Sequence, residues 1–324
     1  MRPHRIRLVA VLIAAAAAFG IAAAPAPPLD GGGSRILFQG ADPQHTGNNA
    51  LFVADSRGRG VRRLLPDLEG DLLHPDWSPD GRRIVFVVDG QTIRVARASG
   101  EDPHVVVRCA TGCVGVDFPA WSPDGRSLAY TRYVTPSPAG PPAASVIVVR
   151  NLRSGKERVV AESDPGQVLD APRWSSSGAR LAVGIDRFDG GATETGSAIA
   201  VLDVASRRLH RLTGFSRYAY GADWRPGSDQ LVFSVETLQF APEPPAGPRD
   251  LYLIDADGAA LRRITSLHGN RMLWQPAFAP DGRSIVATLD EPGGRRGVRV
   301  DLRTGRVERL GTPSLVMTHL KEHR

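Results

Sequence analysis

Lysine is all but missing from this chain of 324 residues. Lys156 and Lys321 are the two it has, and every other cationic residue is arginine. That bias, with abundant Ala, 35 Gly and 26 Pro, points to a GC-rich coding sequence. Basic runs are missing too. The formal net charge is +6, but Arg2, Arg5 and Arg7 sit at the N-terminus, and without them 37 basic residues face 34 acidic ones. The arginines are scattered and form no stripe that could track a phosphate backbone, which excludes nucleic acid as a partner. Motifs for chemistry are also lacking. The chain has no G-x-S-x-G pentapeptide, no Walker loop and no dinucleotide fingerprint. No catalytic set stands out, and no cofactor or resident metal is expected.

Cysteine is limited to Cys109 and Cys113 in the stretch RCATGC. In an oxidising compartment two thiols this close tend to pair, and Gly112 lets the short ring close. A free or redox pair is the alternative. A metal site would need further ligands, and none lie nearby in sequence.

The N-terminus reads as an export leader. A positive MRPHRIR precedes the apolar run LVAVLIAAAAAFGIAAA, residues 8–24, which small residues close. Its 17 residues are short beside the ~20 of a spanning helix. Pro25 and Pro27 follow the cut sites and hinder cleavage, so residues 1–24 are a signal peptide or an uncleaved N-terminal anchor. Residues 25–33 are a linker. No other apolar run of spanning length occurs. Either way the chain is exported, to the periplasm, the cell envelope or the medium.

The main signal is a phrase spelled twice. WSPDGR occupies residues 77–82 and again 121–126. Looser copies follow at Trp174, Trp224 and Phe278, so the aromatic anchors are spaced by 44, 53, 50 and 54 residues. A period of this size means a repeat architecture. Within each unit the tryptophan ends a strand, and Ser-Pro-Asp-Gly makes a tight turn in which proline presets φ. Three apolar segments then follow, as in RIVFVV, TIRVAR and VVVR from residue 83. Residues 35–64 match the last three strands of a unit without the first. SLVMTH at 314–319 is a lone strand after the last unit. A circular solution satisfies both ends. The spacing predicts an all-β, six-bladed β-propeller of four-stranded blades over residues 34–320, with the ring closed by the C-terminal strand and 321–324 left as a tail. The repeat tryptophans are expected to pack between blades.

This combination of WSPDG, an apolar strand, an L-x-L-x-D-like strand and R-x-(I/L)-T resembles the TolB-like family of WD-like propeller repeats, over nearly all of residues 34–320. The resemblance implies the propeller fold. The α/β domain that precedes the propeller of TolB proper has no counterpart here, where about ten residues separate the leader from the first strand, so a role in the Tol–Pal system is not carried over. Similar propellers precede the hydrolase domain of prolyl-oligopeptidase-type peptidases.

Long segments fall in the turn between the second and third strands of several units, at 40–49, 133–144, 185–197 and 235–250. Loops gathered on one face of a rigid ring are where binding concentrates. The residues just before each tryptophan should enter the channel at that face, and they differ from unit to unit. His74, Asp117 and Asp170 offer titratable groups. Phe118, Tyr220 and Trp274 offer aromatic platforms, with Gln275 beside them. Such a mixture suits a small polar ligand or a peptide. Two other patterns are weaker. HLKEH at 319–323 matches a zinc-peptidase spacing without a third ligand. Asp255-Ala256-Asp257-Gly258 resembles the start of a calcium loop but fits a hairpin turn. The expectation is a monomeric, non-catalytic binding module for a protein, peptide or glycan. The alternative is a channel-mouth enzyme, a metal-assisted lyase or hydrolase.

Overall fold

The computed structural model describes residues 33–134, 144–189, 194–236, 247–311 and 318–323. The leader, most of the linker and parts of three of the long turns lie outside the described residues. Among those described, regular structure is almost wholly strand, and no helix is long and apolar enough to cross a membrane.

The strands follow the repeat. The first unit gives β1 (Arg35–Ala41), β2 (Asn49–Asp55) and β3 (Arg62–Leu64). The second gives β4 (Leu72–Trp77), β5 (Arg83–Val88), β6 (Thr92–Arg97) and β7 (His104–Arg108). The third gives β8 (Cys113–Trp121), β9 (Ser127–Val134), β10 (Ala144–Asn151) and β11 (Glu157–Glu162). The fourth gives β12 (Gln167–Trp174), β13 (Arg180–Phe188), β14 (Glu194–Asp203) and β15 (Leu209–Arg211). Then come β16 (Ala219–Trp224), β17 (Gln230–Glu236), β18 (Arg249–Asp255) and β19 (Arg262–Arg263). Next are β20 (Met272–Phe278), β21 (Ser284–Glu291), β22 (Gly294–Asp301) and β23 (Val307–Arg309), and last β24 (Thr318–His323).

These strands form an all-β propeller of antiparallel four-stranded blades. Four sheets stand alone with four strands each, and in one of them β24 pairs with β1 to supply its first strand. Six separate sheets, as the spacing predicts, are not what the hydrogen bonding draws. Strands β16 to β23 belong to one eight-stranded sheet, in which a single parallel contact, Arg249 opposite Met272, joins β18 to β20. The closing strand also runs further than its sequence suggests. It continues to His323, through residues read above as a tail. Glu322 is an ion-pair partner of Arg299 at 2.7 Å, and His323 Nε2 donates to the Pro79 carbonyl at 3.0 Å. Those two side chains of HLKEH are therefore tied to neighbouring strands and turns.

The repeat phrase is a packing device. Trp77, Trp121, Trp224 and Phe278 are buried, each in an apolar cluster with residues of the preceding unit. An arginine from that preceding unit lies over three of the rings: Arg35 over Trp77, Arg83 over Trp121 and Arg180 over Trp224, at 4.5–5.3 Å. At Trp174 the position equivalent to those arginines is Ser127, and the ring is only half-buried. Aspartates stitch the units as well. Asp76 accepts from the Trp121 amide at 3.1 Å and Asp223 from the Phe278 amide at 2.9 Å. In the turn, Ser78 Oγ donates to Asp80 at 2.6 Å and accepts from the Arg83 amide, and Ser122 and Asp124 repeat both bonds. Gly81 and Gly125 take φ of +64° and +68° there, which a glycine adopts without strain.

Candidate functional site

Strands β4, β8, β12, β16 and β20 all break register at one equivalent place, and β8 does so a second time, between Cys113 and Gly115. The shared irregularity lies between Leu73 and Asp76, Asp117 and Ala120, Asp170 and Arg173, Tyr220 and Asp223, and Trp274 and Ala277. The residue three before the anchor aromatic has left-handed backbone every time: His74 (+49°), Phe118 (+50°), Ala171 (+46°), Gly221 (+61°) and Gln275 (+48°). Four of the five are not glycine, and such angles cost a non-glycine residue roughly 1–2 kcal/mol. Proline follows in four of the five copies, as Pro75, Pro119, Pro172 and Pro276. It donates nothing to a strand ladder and so belongs at a bulge. The bulge re-aims the flanking side chains. Strain of this kind clusters at binding sites.

The bulges gather all seven residues proposed from the sequence. Phe118, Asp170, Tyr220, Trp274 and Gln275 line one cavity of about 140 Å³. His74 joins them through Phe118, on whose ring it stacks at 4.0 Å, and through a short contact from its Nδ1 to the Asp117 carboxylate. Asp117 also accepts from the Phe118 amide at 2.9 Å, and Gln39 accepts from the His74 amide at 2.6 Å. Asp117 is thus already engaged by protein groups. The disulfide lies elsewhere: Cys109 and Cys113 are bonded at the connection from β7 to β8, with Cα atoms 5.3 Å apart.

Residues from second and third strands complete the cavity. Asp186 lines it, and Gly184 lets Asp170 lie against β13, since a Cβ at Gly184 would sit 2.2 Å from Asp170 Oδ1. Neither Asp170 nor Asp186 accepts a hydrogen bond from any described residue. Tyr220 donates its hydroxyl to Glu194 at 2.6 Å. Behind the aromatic wall, the buried Arg249 guanidinium lies 3.4 Å from the Trp274 ring centre and 4.3 Å from that of Tyr220, and it pairs with Glu236. This cation fixes both rings. The sequence reading passed over Gly184, Asp186, Glu194 and Arg249. Strand alternation held the signal for the first two: Gly184 is opposite Asp170, and Asp186, two residues on, shares its face.

The field at this mouth is negative. Burial pushes the Asp170 carboxyl up to about 7, helped by the charges of Asp117 and Glu194 and opposed by His74 and Arg173. Burial, then Asp170 and Glu194, push Asp186 up to about 9. Asp170 keeps some accessible surface and lines the cavity. The same carboxylates and burial hold the Tyr133 phenol well above its usual range, hence neutral. Two acids that press on each other retain a proton at neutral pH and release it to an arriving cation. Among the described residues no three His, Cys, Asp or Glu side chains gather where they could hold a metal ion.

Fold and site together define a β-propeller of the TolB-like type, with a cavity of about 140 Å³ lined by residues of its inner strands. Among solved structures the chain resembles TolB from Acinetobacter baumannii, with a TM-score of 0.67 at 18% identity over 89% of this chain. It spans 66% of that protein, just under two thirds of its length. It also resembles a structure described as TolB from Agrobacterium tumefaciens, with a TM-score of 0.61 at 18% identity, covering 90% of this chain and 98% of the other. A third relative in fold is an oligogalacturonate lyase in complex with manganese, with a TM-score of 0.59 at 16% identity, covering 85% and 73%. No protein-family model matches the sequence, and no curated protein is similar to it.

Proposed function

We propose that this protein is an exported, monomeric, non-catalytic binding module, whose loop-rich channel mouth takes a cationic or donor-rich group from a protein, peptide or glycan partner. In this reading the eight-stranded sheet counts as two blades, because β18 and β20 share one pairing only, and the ring has six. The leader at residues 1–24 supports export, and the likeness to TolB supports an interaction role. The observation that carries the reading is the cavity itself. Asp170 and Asp186 face it without a hydrogen-bond donor among the described residues, between the rings of Phe118, Tyr220 and Trp274. An ammonium or guanidinium group would gain both carboxylates and an aromatic wall.

The metal-assisted enzyme is the second reading, favoured by the manganese-bound lyase of similar fold. The residues fit it poorly, since the one mouth histidine, His74, spends its Nδ1 on Asp117 and no three ligating groups converge among the described residues.

The test is a tryptophan-fluorescence titration of the purified protein with agmatine, spermidine and an Arg-Gly-Arg peptide at pH 6 and pH 9, beside Mn²⁺, Ca²⁺ and Zn²⁺. We expect saturable binding of at least one organic cation, tighter at pH 9, and lost in Asp170→Asn/Asp186→Asn. Gly184→Ala should weaken it without lowering the melting temperature, because the added methyl displaces only the Asp170 carboxylate. No binding of any organic cation at millimolar concentration sinks the reading. Stoichiometric metal binding that the double variant abolishes moves the protein to the enzyme class.

A further inference from the structure

The largest difference among the outer strands is in length. Strands β3, β15 and β23 have three residues and β19 has two, whereas β7 has five and β11 six. Short outer strands are a common protection against edge pairing. Of the two long ones, β11 carries exposed charges at both ends, Glu157, Arg158 and Glu162. Strand β7, HVVVR, has three valines between its terminal residues. It pairs with β6 alone, so its other edge has no strand partner among the described residues.

A groove of about 550 Å³ runs beside β7. Four consecutive residues, Val105 to Arg108, line it. The face of a strand presents every second residue, and only its edge presents them all. The groove therefore follows the backbone edge, where the unpaired N–H and C=O groups are. The disulfide loop, Ala110–Cys113, closes one end. Just beyond it stands Val114, a large apolar side chain left 46% exposed.

The charge of the groove is positive. Arg132 and Arg150 reach it from β9 and β10 and share one carboxylate, Glu157. Arg108 is exposed and has no ion-pair partner among the described residues. Three guanidinium groups against one carboxylate leave an excess of two positive charges. This is the reverse of the channel mouth, so one ligand does not suit both places.

We propose that the free edge of β7 receives an extended acidic peptide segment of a partner protein as an added strand, with the segment's carboxylates meeting Arg108, Arg132 and Arg150. Backbone pairing would hold the segment, and the arginines would select its charge. The disulfide fixes the turn that follows β7 and so holds the closed end of the groove in place.

The probe is a fluorescein-labelled heptapeptide of alternating valine and glutamate, followed by anisotropy with the full chain under oxidising conditions. Two versions carry N-methyl groups on alternate amides, one for each edge of the peptide, and a fourth replaces glutamate by lysine. We expect saturable binding of the parent and of one N-methylated version, loss with the other, and no binding of the lysine peptide. Arg108→Glu, a surface change remote from the core, should weaken the parent about tenfold. Equal binding of all three acidic peptides would reduce the site to plain charge attraction and overturn the proposal. So would an Arg108→Glu variant that binds as the wild type does, or no binding at millimolar peptide. Concentration-dependent dimers that exclude the peptide would assign the edge to a second copy of this chain instead.

Discussion

The turn after each anchor aromatic and the bulge before it are separated by only a few residues, yet they repeat in opposite ways. At the turn the side chains recur fully in two units and in part in the others. Ser78 and Asp80 make the same 2.6 Å bond as Ser122 and Asp124, and a glycine follows each aspartate. At the bulge the backbone recurs and the side chains do not. Five units hold φ between +46° and +61°, while the residues are His, Phe, Ala, Gly and Gln. A position whose residue repeats is doing the same packing job in each unit. A position whose geometry repeats under changing residues is a mount: the strain fixes where side chains point, and the sequence chooses what they offer. The first region builds the ring, and the second sets the side chains that line the cavity.

The largest effect that can break this comparison lies with the anchor aromatics. Trp121→Ala should destabilise the fold by about 3–5 kcal/mol, as a large ring removed from a closed core does. Trp174 occupies the same place but is half-buried and has no arginine over its ring among the described residues. Trp174→Ala should lose about 1–2 kcal/mol. Urea denaturation of both variants checks the difference. Equal losses would mean that repetition of the residue, rather than its burial, predicts its energetic role.

A second effect is confined to the mouth and depends on pH. Folded-state Asp170 and Asp186 titrate above the ordinary aspartate value, with Asp186 pushed up to about 9. From about pH 4 upward the unfolded chain releases protons that the native pair still holds. More protons on the folded state make stability fall as pH rises, through about 7 and on to about 9. Asp186→Asn should flatten that fall and stabilise the protein at pH 9 by about 1–3 kcal/mol. Melting temperatures of wild type and variant between pH 5 and pH 9 decide it. A cation bound at the mouth should do the same as the substitution, whereas a change in the turns should not.

How much of this was legible in the sequence follows from the same division. The turns, the strand order and the first strand missing from the initial unit could be read, because they depend on residues that recur at a period. The seven candidate positions were chosen by their distance to the anchor aromatic, and five of them line one cavity. Their geometry could not be read, although Pro75, Pro119, Pro172 and Pro276 stand beside the bulge and mark a break in the ladder. Glu194 and Arg249 were passed over because they act behind the cavity, on the Tyr220 and Trp274 side chains, from third strands, and Asp186 because its place beside Asp170 shows only once β13 is set in register against β12. The one parallel contact that fuses β18 to β20 was equally invisible, since it joins two units at a single residue pair.

The smallest effect sharpens the other side of the comparison. The Ser78 hydroxyl and then the Arg82 amide hold the Asp80 carboxyl below its usual range, and Ser122 and Arg126 do the same for Asp124. A depressed acid contributes stability that is present above its unfolded value and lost as pH falls through the folded one. Both side chains are largely exposed, so water screens most of that gain. Asp80→Ala should therefore lose only about 0.5–1 kcal/mol at neutral pH, through two hydrogen bonds at the surface. The two turns share none of these hydrogen-bond partners. Asp80→Ala and Asp124→Ala should then add within about 0.3–0.5 kcal/mol in the double variant. Neither should alter cation binding at the mouth, because the turns hold units together while the bulges alone aim side chains into the channel. Coupling beyond that margin, or weakened cation binding in either variant, would show that turn and mount are mechanically linked through the short strand between them.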